Sequence, residues 1–103
     1  MGYERVMGLH VTDEVGYQQY RDAMLPILTA YGGSFGYDFR IAEVLKTKTA
    51  DNINRVFTIE FPDQNTMESF FADPEYLAIK SRHLDHSVAS RTIIAMYNNA
   101  TEL

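Results

Sequence analysis

The side chain best suited to chemistry in this 103-residue sequence is the imidazole of His10. Apolar and polar residues alternate over Arg5–Thr12, which predicts a β-strand whose one face carries Val6, Gly8 and His10. Histidine titrates near neutral pH and can take up or release a proton, so His10 is the candidate catalytic acid or base. The alternative is a structural histidine whose ring is hydrogen-bonded inside the protein.

Glu60 is the first of three candidate ligand-binding residues. If the first strand pairs antiparallel with Asn54–Phe61, His10 lies opposite Val56 and Glu60 shares its face. Glu60 could then line the same cavity as His10, or the two residues could meet across a dimer. The structural alternative is an ion pair between Glu60 and Arg40, since a lone buried carboxylate is costly.

Tyr37 and Arg40 are the other two candidates, and both belong to a second predicted strand. In a regular strand they lie on opposite faces, although a bulge would change this. Tyr37 could orient a substrate, and Arg40, with Asp38 on the interior face, could hold an anionic group. The alternative for Arg40 is an ion pair on an edge strand of the sheet.

No metal site or cofactor is predicted. His83 and His86 are adjacent on a predicted helix, a spacing that can hold a metal with Asp85. However, the sequence places no further ligand and has no cysteine, and Arg82 is a neighbouring positive charge. We interpret the pair as a solvated helix end.

Composition excludes several functional classes. The net charge is −5, so electrostatic binding to nucleic acid or anionic lipid is not expected. No apolar run is long enough to span a membrane, and no basic and apolar leader is visible. We therefore expect a cytoplasmic protein with a single domain over residues 1–103 and an ordered core over about residues 4–98.

The elements follow the order strand, helix, strand, strand, helix, strand. The predicted strands cover residues 5–12, 34–46, 55–61 and 91–97. A helical stripe contains Tyr17, Tyr20, Met24, Ile27, Leu28 and Tyr31. Thr12 or Asp13 can cap the start of this helix, Gly32-Gly33 should end it, and Asp63 or Asn65 can cap the next one. A second helical pattern begins after Asp63 and is interrupted at Pro74, which should open a further segment. This order predicts an α+β, ferredoxin-like fold with a four-stranded antiparallel sheet and two helices on one face.

One face of the predicted sheet has no helix to cover it. It carries Val6, Gly8, Val56 and Thr58, which make a poorly solvated surface. A second copy of the chain is the simplest cover, because twofold dimers are the commonest oligomers. We therefore expect a homodimer.

Four segments in order resemble the markers of the bacterial domain-of-unknown-function family thirteen-thirty: Ala30–Phe35, Glu43–Leu45, Glu60–Pro62 and Asp73–Tyr76. The resemblance covers roughly residues 5–97. It implies a dimeric α+β barrel in which two sheets face each other. It does not imply a reaction, since the wider superfamily includes cofactor-independent monooxygenases, haem-degrading enzymes, lactone isomerases and ligand-sensing domains.

Three functional hypotheses follow. The first is a homodimer that binds a small, partly apolar molecule in a cavity of the barrel or between the sheet and the helices. The second is a cofactor-independent oxygenase or isomerase acting on an aromatic or enol-like substrate. The third is a non-catalytic assembly module in which the same polar residues satisfy one another.

Overall fold

Four antiparallel strands and three α-helices make up the part of the chain that the structure, a computed structural model, describes: residues 2–99. Residues 1 and 100–103 of the predicted domain lie outside this range. The elements are β1 (Gly2–Val11), α1 (Glu14–Ala30), β2 (Ser34–Arg40), β3 (Arg55–Phe61), α2 (Gln64–Ala72), α3 (Pro74–Ile79), a π-helical turn (Lys80–Leu84) and β4 (Val88–Asn99).

The sheet has the strand order β2-β3-β1-β4, which is the ferredoxin-like arrangement. The predicted fold class is confirmed. The three helices pack on one face and enclose the core, which includes Met7 and Leu9 from β1, Phe57, Ile59 and Phe61 from β3, and Tyr17, Met24, Leu28 and Phe70 from the helices. We call the opposite side of the sheet the outer face. None of the described helices is long and apolar enough to cross a membrane.

Short polar side chains and one glycine fix the helix ends. Asp13 accepts a hydrogen bond from the Gly16 amide at 3.0 Å, and Asp63 accepts from the Thr66 amide at 2.7 Å. Both satisfy amides that a helix leaves free at its first turn. Helix α1 ends at Ala30, and Gly32, two residues later, has a φ of 76°, which glycine adopts at little cost. The caps and the glycine stop agree with the sequence predictions.

The predicted register between β1 and β3 is wrong by two residues. Gly8, and not His10, lies opposite Val56, and Glu60 lies opposite Glu4. A shift of two residues leaves every side chain on its predicted face, so alternation alone could not detect it. Strand β3 begins only after Asn54, whose side chain pairs with the backbone of Val11 at 2.8 and 2.9 Å.

The second strand is shorter than predicted and contains a bulge. It ends at Arg40, and its register with β3 shifts between Phe35 and Asp38. As a result Phe35 and Asp38 both point towards α1, whereas Tyr37 and Phe39 stack on the outer face with ring centroids 5.8 Å apart. Strict alternation along the sequence predicts that Phe35, Tyr37, Phe39 and Ile41 share one face. This prediction is wrong, because one extra residue after Phe35 reverses the alternation.

Residues 41–54 form a loop that crosses part of the outer face. A Cβ atom built on Gly8 would lie 3.0 Å from Ile53 Cδ1, so the missing side chain lets Ile53 rest on β1. The Thr92 hydroxyl of β4 donates to Asp51 at 2.7 Å. The loop therefore covers part of the apolar surface that the sequence predicts to be bare.

Candidate functional site

A cavity of about 250 Å³ lies between the helix layer and the inner face of the sheet. Helix α1 contributes Tyr17, Tyr20 and Met24 from its buried stripe to one wall of the cavity. Residues of strands β1, β2 and β3 form the opposite wall, which we call the floor. Its apolar and aromatic lining consists of Met7, Leu9, Met24, Phe35, Phe57, Ile59, Phe71, Leu77 and Leu84. Such walls favour a ligand with an apolar body.

The charged groups in the wall are all cationic: Arg5, Arg21, Lys80 and Arg91. Three tyrosines complete the polar lining, whereas the described residues contribute no aspartate, glutamate or histidine to it. The cavity can therefore stabilise negative charge on a ligand, but its wall offers no ordinary general base for neutral pH.

Arg21 is held in a fixed position at the side of the cavity. Its Nε donates to the Tyr17 hydroxyl at 2.8 Å, and its Nη1 lies 3.3 Å from Asp38. The guanidinium packs over the Phe35 ring at 3.9 Å from the centroid. Its side chain is 11% exposed, and its Nη2 is buried with no hydrogen-bond partner in residues 2–99.

Arg5 projects from β1 into the same cavity. Its guanidinium lies 4.4 Å from the centroid of the Phe71 ring, and its Nε is buried with no acceptor in the described structure. Burial lowers the pKa of Arg5 from its ordinary value, but an arginine stays protonated in proteins. Arg5 is thus a cation that lines an aromatic site.

Tyr20 and Tyr76 form a hydroxyl pair in the wall, with their oxygens 2.9 Å apart. Burial raises the pKa of Tyr20 well above its ordinary value and also raises that of Tyr76. Both hydroxyls therefore keep their protons at neutral pH. One proton is shared within the pair, and the other remains free to donate to a ligand oxygen.

The mouth of the cavity lies near the π-helical turn. Asp85 Oδ1 is 3.2 Å from Lys80 Nζ and 3.2 Å from Arg91 Nη2, so it joins the turn to β4. Leu77 lines the cavity but is 44% exposed, in contrast to the other apolar groups from the helices. Isolated π-helical turns are frequent at functional sites.

The four residues proposed from sequence lie away from this cavity. His10 is partly buried on the outer face, opposite Ser90 of β4. Glu60 is also on the outer face, where its carboxylate accepts a hydrogen bond from Asn99. Because Glu60 lies opposite Glu4, it is six residues along from His10, or roughly 20 Å. The two side chains do not meet within one chain.

Tyr37 and Arg40 are also separate. Tyr37 is 67% exposed on the outer face, and Arg40 is 78% exposed on the helix side, 3.9 Å from Glu14. The predicted pair of Glu60 with Arg40 is not formed, because Glu60 contacts Asn99, and the ion pair that Arg40 forms on the edge strand is the one with Glu14. Asp38 forms a two-pronged pair with Arg55 at 2.8 and 2.9 Å. The bulge in β2 also places Asp38 on the helix side and not on the barrel-interior face.

His83 and His86 lie near the end of the helical segment. His83 lies in the π-helical turn and His86 follows it. Among residues 2–99, no group of three or more histidine, aspartate or glutamate side chains is arranged to hold a metal ion.

Sequence reasoning missed Arg5 and Arg21 as site residues, although a signal was present. Arg5 occupies the face of β1 that otherwise carries Met7, Leu9 and Val11. Arg21 adjoins the buried stripe of α1, directly after Tyr20. An arginine at a core-facing position needs a buried partner or a ligand to offset the cost of burying its charge. The positions of Arg5 and Arg21 in the sequence therefore already indicate a cavity.

Solved structures with the same fold come from several bacteria. A protein of unknown function from Rhodopseudomonas palustris has a TM-score of 0.77 at 14% identity, over 98% of this chain and 84% of that one. A dimeric ferredoxin-like protein of unknown function from Thermobifida fusca has a TM-score of 0.59 at 14% identity, over 94% and 90%. A protein from Nitrosomonas europaea, provisionally assigned as an antibiotic biosynthesis monooxygenase, has a TM-score of 0.61 at 10% identity, over 97% and 91%.

These structural similarities show the fold alone. A search of curated proteins finds no match. The family comparison is more informative, since one family model covers residues 4–97, nearly the whole described structure. This range contains both the cavity and the outer face, and it includes all four segments that suggested the family from sequence. The chain belongs to the family described as a domain of unknown function, DUF1330.

Proposed function

We propose that this protein binds a small, partly apolar molecule in the cavity between its sheet and its helices. The observation that carries this proposal is a 250 Å³ space whose wall is largely apolar and aromatic and in which every charged side chain from residues 2–99 is a cation. Ligand pockets typically have about 300–1,000 Å³, so this cavity suits a compact molecule of one or two rings.

A homodimer in which two outer faces meet is part of the same proposal. The uncovered apolar groups on the outer face support it, as does the dimeric relative from Thermobifida fusca. In such a dimer His10, Tyr37 and Glu60 would line the interface between the sheets. A second ligand site there, with His10 as acid or base, is the sequence-based alternative.

A cofactor-independent oxygenase or isomerase is the alternative enzymatic function. Its support is the shared fold of the Nitrosomonas europaea protein. Proton abstraction from an aromatic or enol-like substrate needs a base within hydrogen-bonding reach of the substrate. The described lining of the cavity supplies arginines, a lysine and protonated tyrosines, so simple binding fits it better. The third hypothesis is a non-catalytic assembly module whose interior is filled by its own side chains. A cavity of 250 Å³ agrees less well with such an interior.

Calorimetric titration with indole, a small neutral aromatic probe, tests the proposal. Leu77→Trp should block the mouth and reduce indole affinity at least tenfold. Leu25→Trp is a matched control, because Leu25 is 47% exposed on α1 and does not line the cavity. It should bind indole like the wild type.

His10→Ala distinguishes the two candidate sites. If the cavity is the site, this variant keeps its indole affinity. Loss of affinity in His10→Ala, with unchanged binding in Leu77→Trp, would place the ligand on the outer face. No binding to the wild-type protein, together with no co-purified small molecule in native mass spectrometry, would support the assembly module.

A further inference from the structure

The cationic wall indicates which chemical class of ligand the cavity takes, and this inference rests on the function proposed above. Three of the four cations in the wall form ion pairs with a carboxylate. Lys80 and Arg91 both contact Asp85. The third, Arg21, contacts Asp38. Arg5 forms no ion pair within residues 2–99, so its positive charge has no counterpart in the wall.

The position of Arg5 makes this charge significant. A guanidinium taken from water loses hydration that only hydrogen bonds and a counter-charge can replace. The Phe71 ring at 4.4 Å supplies a cation–π contact, but no carboxylate among residues 2–99 pairs with the guanidinium. An anionic oxygen on a ligand in the cavity, which Arg5 lines, would supply the missing counter-charge.

A second donor lies beside Arg5. The Tyr76 ring packs against the same Phe71 ring, with centroids 5.5 Å apart. Tyr76 and Tyr20 share one hydroxyl proton and retain another for a ligand. The floor of the cavity carries the rings of Phe35 and Phe57, which pack edge to face at 5.6 Å. The Arg21 guanidinium lies 3.9 and 4.7 Å from their centroids, so a flat aromatic body meets these rings beside a second cation.

We infer that the cavity is a site for an aromatic carboxylate, with the carboxylate bound to Arg5 and the Tyr20–Tyr76 hydroxyl pair, and the ring against Phe35 and Phe57. The carboxylate accepts hydrogen bonds at each oxygen, and an arginine fork matches that geometry. No bond is made or broken in this binding step.

Two probes of equal shape test the charge requirement. Phenylacetate carries the carboxylate, and phenylacetamide replaces it with a neutral amide. By calorimetry, the wild-type protein should bind phenylacetate about tenfold to a hundredfold more tightly, because a hydrogen bond to a charged group is stronger than a neutral one. The preference should weaken as the salt concentration rises.

Substitutions of Arg5 test whether this residue causes the preference for phenylacetate over phenylacetamide. Arg5→Gln should reduce phenylacetate affinity to that of phenylacetamide and leave phenylacetamide affinity unchanged. Arg5→Lys keeps the charge without the planar fork and should give an intermediate preference. Arg40→Gln, at an exposed arginine outside the cavity, is the control and should bind both probes like the wild type. Circular dichroism verifies that each variant is folded.

The outcomes separate this inference from the function on which it rests. Equal wild-type affinities for the two probes, with both probes excluded by Leu77→Trp, would overturn the carboxylate assignment and leave cavity binding intact. A preference that survives in folded Arg5→Gln, or disappears in Arg40→Gln, would also overturn it. If neither probe nor indole binds the wild type, both proposals fail. If Arg5→Gln does not fold, the wild-type comparison and Arg5→Lys decide.

Discussion

Asp38 is the residue that holds Arg21 and Arg55 in place at one side of the cavity. Its two carboxylate oxygens accept from Arg55 Nε and Nη2, and Arg21 Nη1 lies 3.3 Å from Oδ2. Arg55 also lies 3.6 Å from Glu14. One side chain on β2 therefore connects α1, β2 and β3 next to the proposed ligand.

The Asp38 cluster predicts a component of acid sensitivity. The hydrogen bond from Arg55, aided by the charge of Arg21, lowers the pKa of Asp38 despite opposing burial. Because the folded pKa is below the unfolded value of about 3.9, this carboxylate stabilises the fold fully above that pH. Its contribution is lost as the pH falls through the folded value.

Asp38→Asn should therefore flatten the pH dependence of stability in acid. We expect its free energy of unfolding to fall less steeply than that of the wild type as the pH drops below about 4. Urea denaturation at a series of acidic pH values measures this slope. Identical slopes for the two proteins would show that Asp38 is not stabilised by its arginines.

Phe61 gives a test of the core. It is 1% exposed and packs against Phe70 and Phe71, with centroids 5.4 and 5.7 Å away. Phe61→Ala should cost roughly 3–5 kcal/mol of stability, because it leaves an unfilled hole, and Phe57→Ala should be similar. Leu25→Ala, at a residue that is 47% exposed on α1, should cost far less. Equal unfolding midpoints for the wild type and Phe61→Ala would contradict the assigned strand faces.

Individual residues also show why the site was harder to predict than the core. The face of Phe57, Ile59 and Phe61 follows from alternation alone, and the structure confirms it. Arg5 lies on the same face of β1 as Met7, because the two residues are two positions apart. This alternation does not show whether the arginine side chain lies in solvent or in a cavity. That depends on Phe71 and Tyr76, which come from distant helices and meet Arg5 only in the folded chain.

At the scale of elements, local rules predicted helix ends well and strand pairing less well. Asp13, Asp63 and Gly32 act within a few residues of their own positions, so sequence reveals them. The β1–β3 register and the β2 bulge depend on long-range contacts. The Asn54 side chain, for example, bonds to Val11, 43 residues away. No local pattern contains that information.

Asp73 gives a test at this scale, since it both starts α3 and ties it to α1. Its carboxylate accepts from the Glu75 and Tyr76 amides at 2.8 and 3.2 Å and from the Tyr31 hydroxyl at 2.7 Å. Asp73→Ala should cost about 0.5–2 kcal/mol, the usual value of a helix cap. Asp73→Asn keeps an acceptor and should cost less.

Urea denaturation compares these variants. Tyr31→Phe removes only the contact to α1 and isolates that part of the effect. The cap assignment would be wrong if Asp73→Ala were as stable as the wild type.

At the scale of the whole molecule, the apolar surface of the outer face leads us to expect that two chains associate through it. Val6 and Val56 remain partly exposed there despite the covering loop. We expect the wild-type protein to sediment as a dimer at micromolar concentration and Val6→Arg to sediment as a monomer, since a charge would be buried between the sheets. Val15→Arg is the control, because Val15 is 71% exposed on α1. A stable wild-type monomer would contradict the proposal.

The most direct test of ligand binding in the cavity is nuclear Overhauser contact between bound indole and isotope-labelled methyl groups. Met7, Met24 and Ile59 line the cavity, whereas Met67 is buried outside it and Ile94 lies against Gly8 on the outer face. The predicted result is contact from indole to Met7, Met24 and Ile59, with none to Met67 or Ile94. Contact to Ile94 without contact to Met7 and Met24 would contradict the proposed site.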